Sequence, residues 1–235
     1  MTDPTSDSSY VVVGNRPWSR VVFDEVISKY PRHWHFIDRV ELLTAERLGK
    51  LSPRYVFFLH WSLKVPDAIV RDFECVCFHM TDVPFGRGGS PLQNLIMRGL
   101  RSTKLTALRM TADFDAGPVY LKDDLSLEGG AEEIYIRACR LAAAMIGRIL
   151  REQPAPSPQT GEPVVFKRRK ASQSEVPELT SLGALHDFIR MLDADGYPRA
   201  FLNYRGFRYE FSRAGLYSDA VVADVRITRS AEIKQ

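Results

Sequence analysis

Short apolar runs alternate with helical patterns along residues 10–150, and this alternation is the strongest constraint on the fold. Continuous apolar runs at Tyr10–Val13, Tyr55–Leu59 and Cys75–Phe78 lack the polar alternation of a strand with one solvated face. Strands that are apolar on both faces are typical of parallel sheets covered by helices on each side. We therefore predict an α/β fold with a mostly parallel sheet and helices on both faces.

Spacing and turn signals predict the remaining elements of this region. Helices are expected over 18–30, 44–51, 67–71, 91–100 and 131–152, and strands over 35–37, 105–110 and 118–122. The proline-rich segment 153–158 cannot continue a helix, so it marks a boundary. We predict a large domain over 1–152, a linker over 153–165 and a small α+β domain over 166–235.

Composition excludes several classes of protein. Lys and Arg number 32 and Asp and Glu 29, a net charge of +3, which argues against a chain built mainly to coat nucleic acid. The 3 cysteines are too few for a disulfide framework, and Cys75 and Cys77 have no second pair of ligands for zinc. The polar N-terminus is not a signal peptide, and no apolar run approaches the ~20 residues that span a bilayer. We expect a soluble cytoplasmic protein that binds no metal and no membrane.

One polar cluster follows the strand at Cys75–Phe78. His79 comes directly after that strand, at an edge where α/β folds open ligand crevices, and Asp115 lies in a turn between two later strands. An imidazole there can relay a proton near neutral pH, and a nearby carboxylate can orient it. A hydrogen-bonded structural histidine and an ordinary turn aspartate are equally compatible with this spacing. The first turn, Gly14-Asn-Arg-Pro-Trp18, lacks GxGxxG, which disfavours a nicotinamide enzyme.

Two motifs in order resemble those of a known family. His79-Met-Thr-Asp-Val-Pro84 followed by Arg87-Gly88, and then Met110-Thr-Ala-Asp-Phe-Asp-Ala-Gly117, are similar to motifs of the 10-formyltetrahydrofolate-dependent formyltransferases. The similarity covers about residues 10–150. It implies a Rossmann-like domain that transfers a formyl group from 10-formyltetrahydrofolate to an amine.

The resemblance also implies roles for individual residues. His79 and Asp115 match the family's catalytic histidine and aspartate, whereas Cys77 stands where the family has an asparagine. An asparagine donates a hydrogen bond to the developing oxyanion, and a thiol is a much weaker donor. Either His79 with a backbone N–H, or another side chain, takes over that role, or the protein is a poor catalyst, or Cys77 itself is a nucleophile. Residues expected at the folate are Leu63, Val65, Pro84, Phe85 and Asp113.

Within the family, the chain resembles the branch that formylates nucleotide-linked amino sugars, including the pseudaminic-acid-pathway type. The short, weakly charged segment after residue 165 argues against binding tRNA. We therefore expect a nucleotide-linked amino sugar as acceptor, no nucleic acid, and a possible homodimer. A non-catalytic binding protein and a 10-formyltetrahydrofolate hydrolase are the alternatives. Residues expected at the acceptor are Trp18, Met80, Thr81, Arg87, Gly88, Lys167, Arg168 and Arg169.

Overall fold

The computed structural model describes residues 9–230. The N-terminal segment, for which we expect no signal peptide, therefore lies almost entirely outside the described residues. The chain divides into two compact units, each made of separate segments. The first unit comprises residues up to 88, 103–125 and 135–165, and the second comprises 89–102, 126–134 and the chain from 166 onwards. The predicted domain boundaries at 152 and 165 stay a prediction.

Eleven strands and six α-helices make up the described chain. The strands are β1 (Ser9–Val13), β2 (His33–Ile37), β3 (Pro53–Phe58), β4 (Cys75–His79), β5 (Phe85–Gly88), β6 (Ser102–Arg109), β7 (Val119–Ser126), β8 (Val164–Phe166), β9 (Ala200–Tyr204), β10 (Phe207–Leu216) and β11 (Val221–Arg229). The helices are α1 (Pro17–Glu25), α2 (Ala45–Leu51), α3 (Asp67–Asp72), α4 (Pro91–Ile96), α5 (Ala131–Glu152) and α6 (Leu182–Arg190).

A six-stranded sheet forms the centre of the first unit, in the order β2-β1-β3-β4-β6-β7. The pairs β1–β2, β1–β3 and β3–β4 are parallel, and β4–β6 is antiparallel. Strand β1 is buried along its whole length, and Val11, Val56 and Val76, in three neighbouring strands, are fully inaccessible to solvent. The predicted mostly parallel α/β fold is thus confirmed. The carboxyl ends of β1, β3 and β4 share one edge of this sheet.

Local signals explain where the helices begin and end. Thr44 accepts a hydrogen bond from the Arg47 N–H at 3.2 Å, which caps the start of α2 as expected from the sequence. The helix predicted over 18–30 ends at Glu25, because Val26 adopts φ −126° and a 3-10 turn over Ile27–Lys29 follows.

The second unit contains a three-stranded antiparallel sheet in the order β11-β10-β9, and α6 packs against β10 and β11. Ser181 caps α6 by accepting a hydrogen bond from the Ala184 N–H at 3.1 Å. This arrangement confirms the predicted small α+β unit. Among the described helices, none is both long enough and apolar enough to cross a membrane.

A two-stranded sheet of β5 and β8 was not anticipated from the sequence. The prediction places β5 in a glycine-rich turn and β8 in the linker. Both strands are very short, and their pairing joins segments far apart in the chain. The β-forming residues of β8, Val164, Val165 and Phe166, are too few to predict a strand by themselves.

Candidate functional site

The loops that follow β1, β3 and β4 lie at the shared carboxyl edge of the sheet, and β4 ends at His79. Asp115 reaches this edge by a different route. Because β6 runs antiparallel to β4, its carboxyl end at Arg109 lies opposite Val76, near the start of β4. The connection from β6 to β7 must therefore return along β4 to bring Asp115 beside His79.

The His79 ring is held by a backbone carbonyl. Its side chain is 10% exposed, and Nε2 lies 2.8 Å from the carbonyl oxygen of Gly86. A carbonyl oxygen only accepts hydrogen bonds, so Nε2 carries the proton that it donates to Gly86. In the neutral ring, the lone pair is then on Nδ1. The ring atom available for chemistry is therefore Nδ1.

Asp115 faces that atom. Its Oδ1 lies 3.5 Å from His79 Nδ1, and its Oδ2 accepts a hydrogen bond from the Gly88 N–H at 2.9 Å. Asp115 adopts φ +54°, in the left-handed region that L-residues other than asparagine and aspartate rarely occupy. Such a conformation costs free energy and persists where the surrounding structure enforces it, which is common at functional sites. The structure thus brings the two predicted catalytic residues together.

The loop that carries Asp115 is fixed by contacts that the sequence does not indicate. The amide of Gln159 bonds to the backbone carbonyls of Asp115 and Gly117 and to the guanidinium of Arg87. A Cβ atom at Gly117 would lie 1.8 Å from the carbonyl oxygen of Arg109, so only glycine fits there. The sequence places Gln159 in a linker, and no local pattern distinguishes it.

Cys77 lies two residues before His79 on the same face of β4, and the residue is half-buried. Burial of the thiol, and then the neighbouring Asp115 carboxylate, raise the pKa of Cys77 well above its usual value. The thiol is therefore neutral at physiological pH, whereas a nucleophilic cysteine has a lowered pKa. This electrostatic setting argues against the nucleophile among the alternatives for Cys77.

The residues expected at the folate follow β3 and β4 or lie in the Asp115 loop, and Phe85 is the first residue of β5. Leu63 and Val65 follow β3, with Leu63 exposed and Val65 buried. Pro84 and Phe85 follow β4 and are partly buried, whereas Asp113 is exposed in the Asp115 loop. These placements suit an apolar wall with a polar rim, and the folate role of all five residues stays a prediction.

Two buried polar atoms at this edge have no hydrogen-bond partner within the described chain: Asn15 Oδ1, in the loop after β1, and Trp61 Nε1, in the loop after β3. A buried polar atom without a partner costs ~1–3 kcal/mol, and such atoms are normally completed by water or a ligand. The loops after two neighbouring strands therefore offer an acceptor and a donor to a polar ligand, which fits a pterin-like group.

Three residues expected at the acceptor are buried within the first unit: Trp18, Met80 and Thr81. Trp18 Nε1 donates to His60 Nδ1 at 3.1 Å, and Thr81 Oγ1 donates to the Gly86 carbonyl at 3.3 Å. Burial, and then the positive charge of Arg16, lower the pKa of His60 to about 3. The acceptor roles of Trp18, Met80 and Thr81 stay predictions.

The basic residues expected at the acceptor differ in their contacts. Arg87 contacts Gln159, as described, and its neighbour Gly88 holds Asp115. Lys167 and Arg168 are exposed in the second unit. The Arg169 guanidinium instead contacts Met97 Sδ and the Phe188 ring, and burial lowers its pKa. The packing of Arg169 indicates a structural contribution, and the acceptor roles of this set stay predictions.

Comparison with known proteins identifies relatives of this chain. A family model described as the C-terminal domain of methionyl-tRNA formyltransferase matches residues 171–228. The solved structure titled methionyl-tRNA formyltransferase from Clostridium thermocellum is 42% identical, with TM-score 0.89, covering 94% of this chain and 99% of that one. A 4-N formyltransferase from Francisella tularensis is only 14% identical, with TM-score 0.65, over 84% of this chain and 93% of that one, and shows the fold alone.

A curated relative aligns over a shorter segment. Methionyl-tRNA formyltransferase from Rickettsia felis is 29% identical over 111 residues, which are 46% of this chain and 37% of the relative. The matched segment thus spans less than half the length of that curated relative.

These findings correct the predictions on acceptor and partner. The expectation of a nucleotide-linked amino sugar, with no nucleic acid, is wrong, because the similar relatives are named for methionyl-tRNA. The prediction rested on the small size of the C-terminal segment. The Clostridium chain is matched over 99% of its length, so a C-terminal unit of this size also occurs in a protein with that name.

Proposed function

The chain belongs to the formyltransferase family, and on that premise we propose that it transfers the formyl group of 10-formyltetrahydrofolate to the α-amino group of methionyl-tRNA. Family membership confirms 10-formyltetrahydrofolate as the formyl donor. The methionyl-tRNA acceptor is supported by the names of the Clostridium and Rickettsia relatives and by the family model over 171–228.

One observation carries the chemical part of the proposal. His79 Nδ1 and Asp115 Oδ1 face each other at 3.5 Å at the carboxyl edge of the sheet, and each side chain is anchored through its other polar atom. An amine nucleophile must lose a proton as it attacks a carbonyl carbon. A basic nitrogen held in place at the site can take this proton as a general base, and a neighbouring carboxylate stabilises the cation that forms.

We propose separate tasks for the two side chains. The Nε2–H of His79 donates a hydrogen bond to the Gly86 carbonyl, so Nδ1 is the ring atom that accepts the proton of the attacking amine. Asp115 Oδ1 then stabilises the positive charge of the imidazolium, and Oδ2 stays on the Gly88 N–H. The proton on Nδ1 is afterwards available to the departing nitrogen. 10-Formyltetrahydrofolate supplies the activated one-carbon unit.

Positioning accounts for the rest of the expected acceleration. Leu63, Val65 and Phe85 would form an apolar wall for the pterin. Asn15 Oδ1 and Trp61 Nε1 would be its hydrogen-bond partners. Holding the amine near the formyl carbon converts a bimolecular reaction into an effectively unimolecular one, which can supply ~7–11 kcal/mol.

A formyl-transfer assay tests the proposal. The purified chain is incubated with 10-formyltetrahydrofolate and methionyl-tRNA, and formylmethionine released by mild base is measured by mass spectrometry. We expect formylation of methionyl-tRNA but no transfer to tRNA charged with N-acetylmethionine, whose amine is blocked. Transfer to a different amine with none to methionyl-tRNA would contradict the acceptor, and formate release without any acceptor would indicate a hydrolase.

A further inference from the structure

Gln159 makes four hydrogen bonds around the loop that carries Asp115. Its Nε2 donates to the carbonyl oxygens of Asp115 and Gly117, both at 2.8 Å. Its Oε1 accepts from Arg87 Nε at 3.0 Å and Nη2 at 2.8 Å. One amide group therefore ties the loop before β7 to the strand β5 that holds His79 and Asp115.

We infer that Gln159 is a positioning residue for the formyl-transfer reaction, holding Asp115 at the distance and angle at which its carboxylate supports His79. This inference rests on the proposed function. Gln159 lies in the predicted linker 153–165, directly after the proline-rich segment 153–158, and its amide bonds to two backbone carbonyls and to Arg87 rather than to His79 or the Asp115 carboxylate.

The chemistry of the amide explains why this position needs glutamine. The two donors of Arg87 fix which end of the amide is oxygen, so both N–H groups point at the two carbonyls. A glutamate would keep the Arg87 contact but would set a carboxylate against two carbonyl oxygens. A methionine would fill the same space and lose all four hydrogen bonds.

The loop needs this restraint because Asp115 is in an unfavourable backbone conformation. Its φ of +54° costs free energy, so without contacts on its carbonyl the loop relaxes toward commoner conformations. The carboxylate would then leave Gly88 N–H and His79 Nδ1. A displacement of about 1 Å at a catalytic group can lower the rate by about 10²-fold.

Three variants separate positioning from general packing. Gln159→Met removes the amide, Gln159→Glu keeps only the Arg87 contact, and Gln153→Met makes the same chemical change at an exposed side chain in the same segment. We expect kcat to fall about 10²-fold in both Gln159 variants, with KM for the formyl donor little changed. Gln153→Met should behave as the wild type.

Hydrogen exchange of the Gly88 amide gives a readout that does not depend on activity. This amide donates to Asp115 Oδ2, so it should exchange faster in both Gln159 variants than in the wild type or in Gln153→Met.

Arg87→Met should lower kcat as well. The Arg87→Met/Gln159→Met double variant should have a kcat little lower than that of Gln159→Met alone, because the two residues act as one unit.

The outcomes distinguish the inference from the proposed function. A wild-type chain that transfers no formyl group overturns the proposed function, and unchanged Gly88 exchange in the Gln159 variants overturns the positioning role whatever the activity. Full activity in Gln159→Met, or recovery in Gln159→Glu, also overturns the inference, since it would show that the bonds to the two loop carbonyls do not matter.

Discussion

His79 and Asp115 are held face to face by two backbone groups of the same short strand. The Gly86 carbonyl accepts a hydrogen bond from His79 Nε2, and the Gly88 N–H donates one to Asp115 Oδ2, which leaves His79 Nδ1 and Asp115 Oδ1 opposite each other at 3.5 Å. The strand β5 therefore sets the separation of the pair. Gly86 and Gly88 both have positive φ, +80° and +99°, a conformation that glycine adopts without a steric penalty.

Cys77 should be dispensable for catalysis. Because burial and Asp115 raise its pKa well above the usual value, the thiol stays protonated and is a weak hydrogen-bond donor. We expect Cys77→Ala to lower kcat less than about tenfold, well below the ~10²–10³-fold loss of an oxyanion-hole donor. Steady-state kinetics of the variant checks this. Complete loss of formyl transfer in a folded Cys77→Ala variant would contradict the expectation and favour Cys77 as a nucleophile.

The thiols should also make the fold sensitive to alkaline pH. Burial raises the pKa of Cys75 and of Cys139 to about 12. Above pH ~8.5 the unfolded chain releases these protons and the folded chain keeps them, so the free energy of unfolding falls as pH rises, by up to about 1.4 kcal/mol per pH unit for each thiol. Urea unfolding between pH 8 and 10 measures this, and Cys139→Ala should show a smaller decline than the wild type.

Gly117→Ala should disturb both the fold and the site. Its Cβ would lie 1.8 Å from the Arg109 carbonyl, so the backbone has to shift, at a cost of about 1–3 kcal/mol. The shift would also displace Asp115, two residues earlier, and lower kcat. Gly49→Ala is the matched control, because a Cβ atom at this position in α2 would meet nothing within 4 Å. We expect this variant to be ~0.5–1 kcal/mol more stable than the wild type.

Thermal unfolding and kinetics of the two glycine variants test this expectation. A Gly117→Ala protein with the wild-type melting temperature and kcat would show that the loop tolerates a side chain at this position.

His60 should make the fold sensitive to acid. Burial lowers its pKa to about 3 in the folded chain, against ~6.5 when unfolded. Between these pH values the unfolded chain binds the extra proton, so the free energy of unfolding falls as pH decreases from about 6.5, by up to about 1.4 kcal/mol per pH unit. His60→Asn keeps an acceptor for Trp18 Nε1 and suits the φ of +50°.

Urea unfolding of the wild type and His60→Asn at pH 7, 6 and 5 measures the effect. We expect a flatter pH dependence in the variant. If the free energy of unfolding depends on pH equally in the two proteins, the pKa of His60 is not lowered in the folded chain.

The sequence predicts most of the fold because its signals are local. Apolar runs such as Tyr10–Val13 lie within the observed strands, and α5 has the predicted bounds, Ala131–Glu152, since a long amphipathic pattern is hard to mistake. Strands β5 and β8 were missed because each is stabilised by pairing with a distant segment. Nothing in a run of three or four residues encodes such a partner.

The site was predictable only where motifs mark it. His79 and Asp115 could be named from their motifs, but the return of the β6–β7 loop along β4 depends on an antiparallel pairing that the sequence does not display. Gln159 acts through contacts 42 and 44 residues away along the chain, so its environment is purely tertiary. The acceptor was predicted wrongly because the net charge and the length of the C-terminal segment do not determine which molecule a site binds.

Single-turnover formyl transfer to methionyl-tRNA, compared among the wild type, His79→Asn, Asp115→Asn and the double variant, tests the central claim most directly. We expect each single variant to slow transfer by about 10²–10⁴-fold and the double variant to be little slower than either, because one proton-accepting unit has been lost. Transfer at the wild-type rate by folded His79→Asn or Asp115→Asn would contradict it.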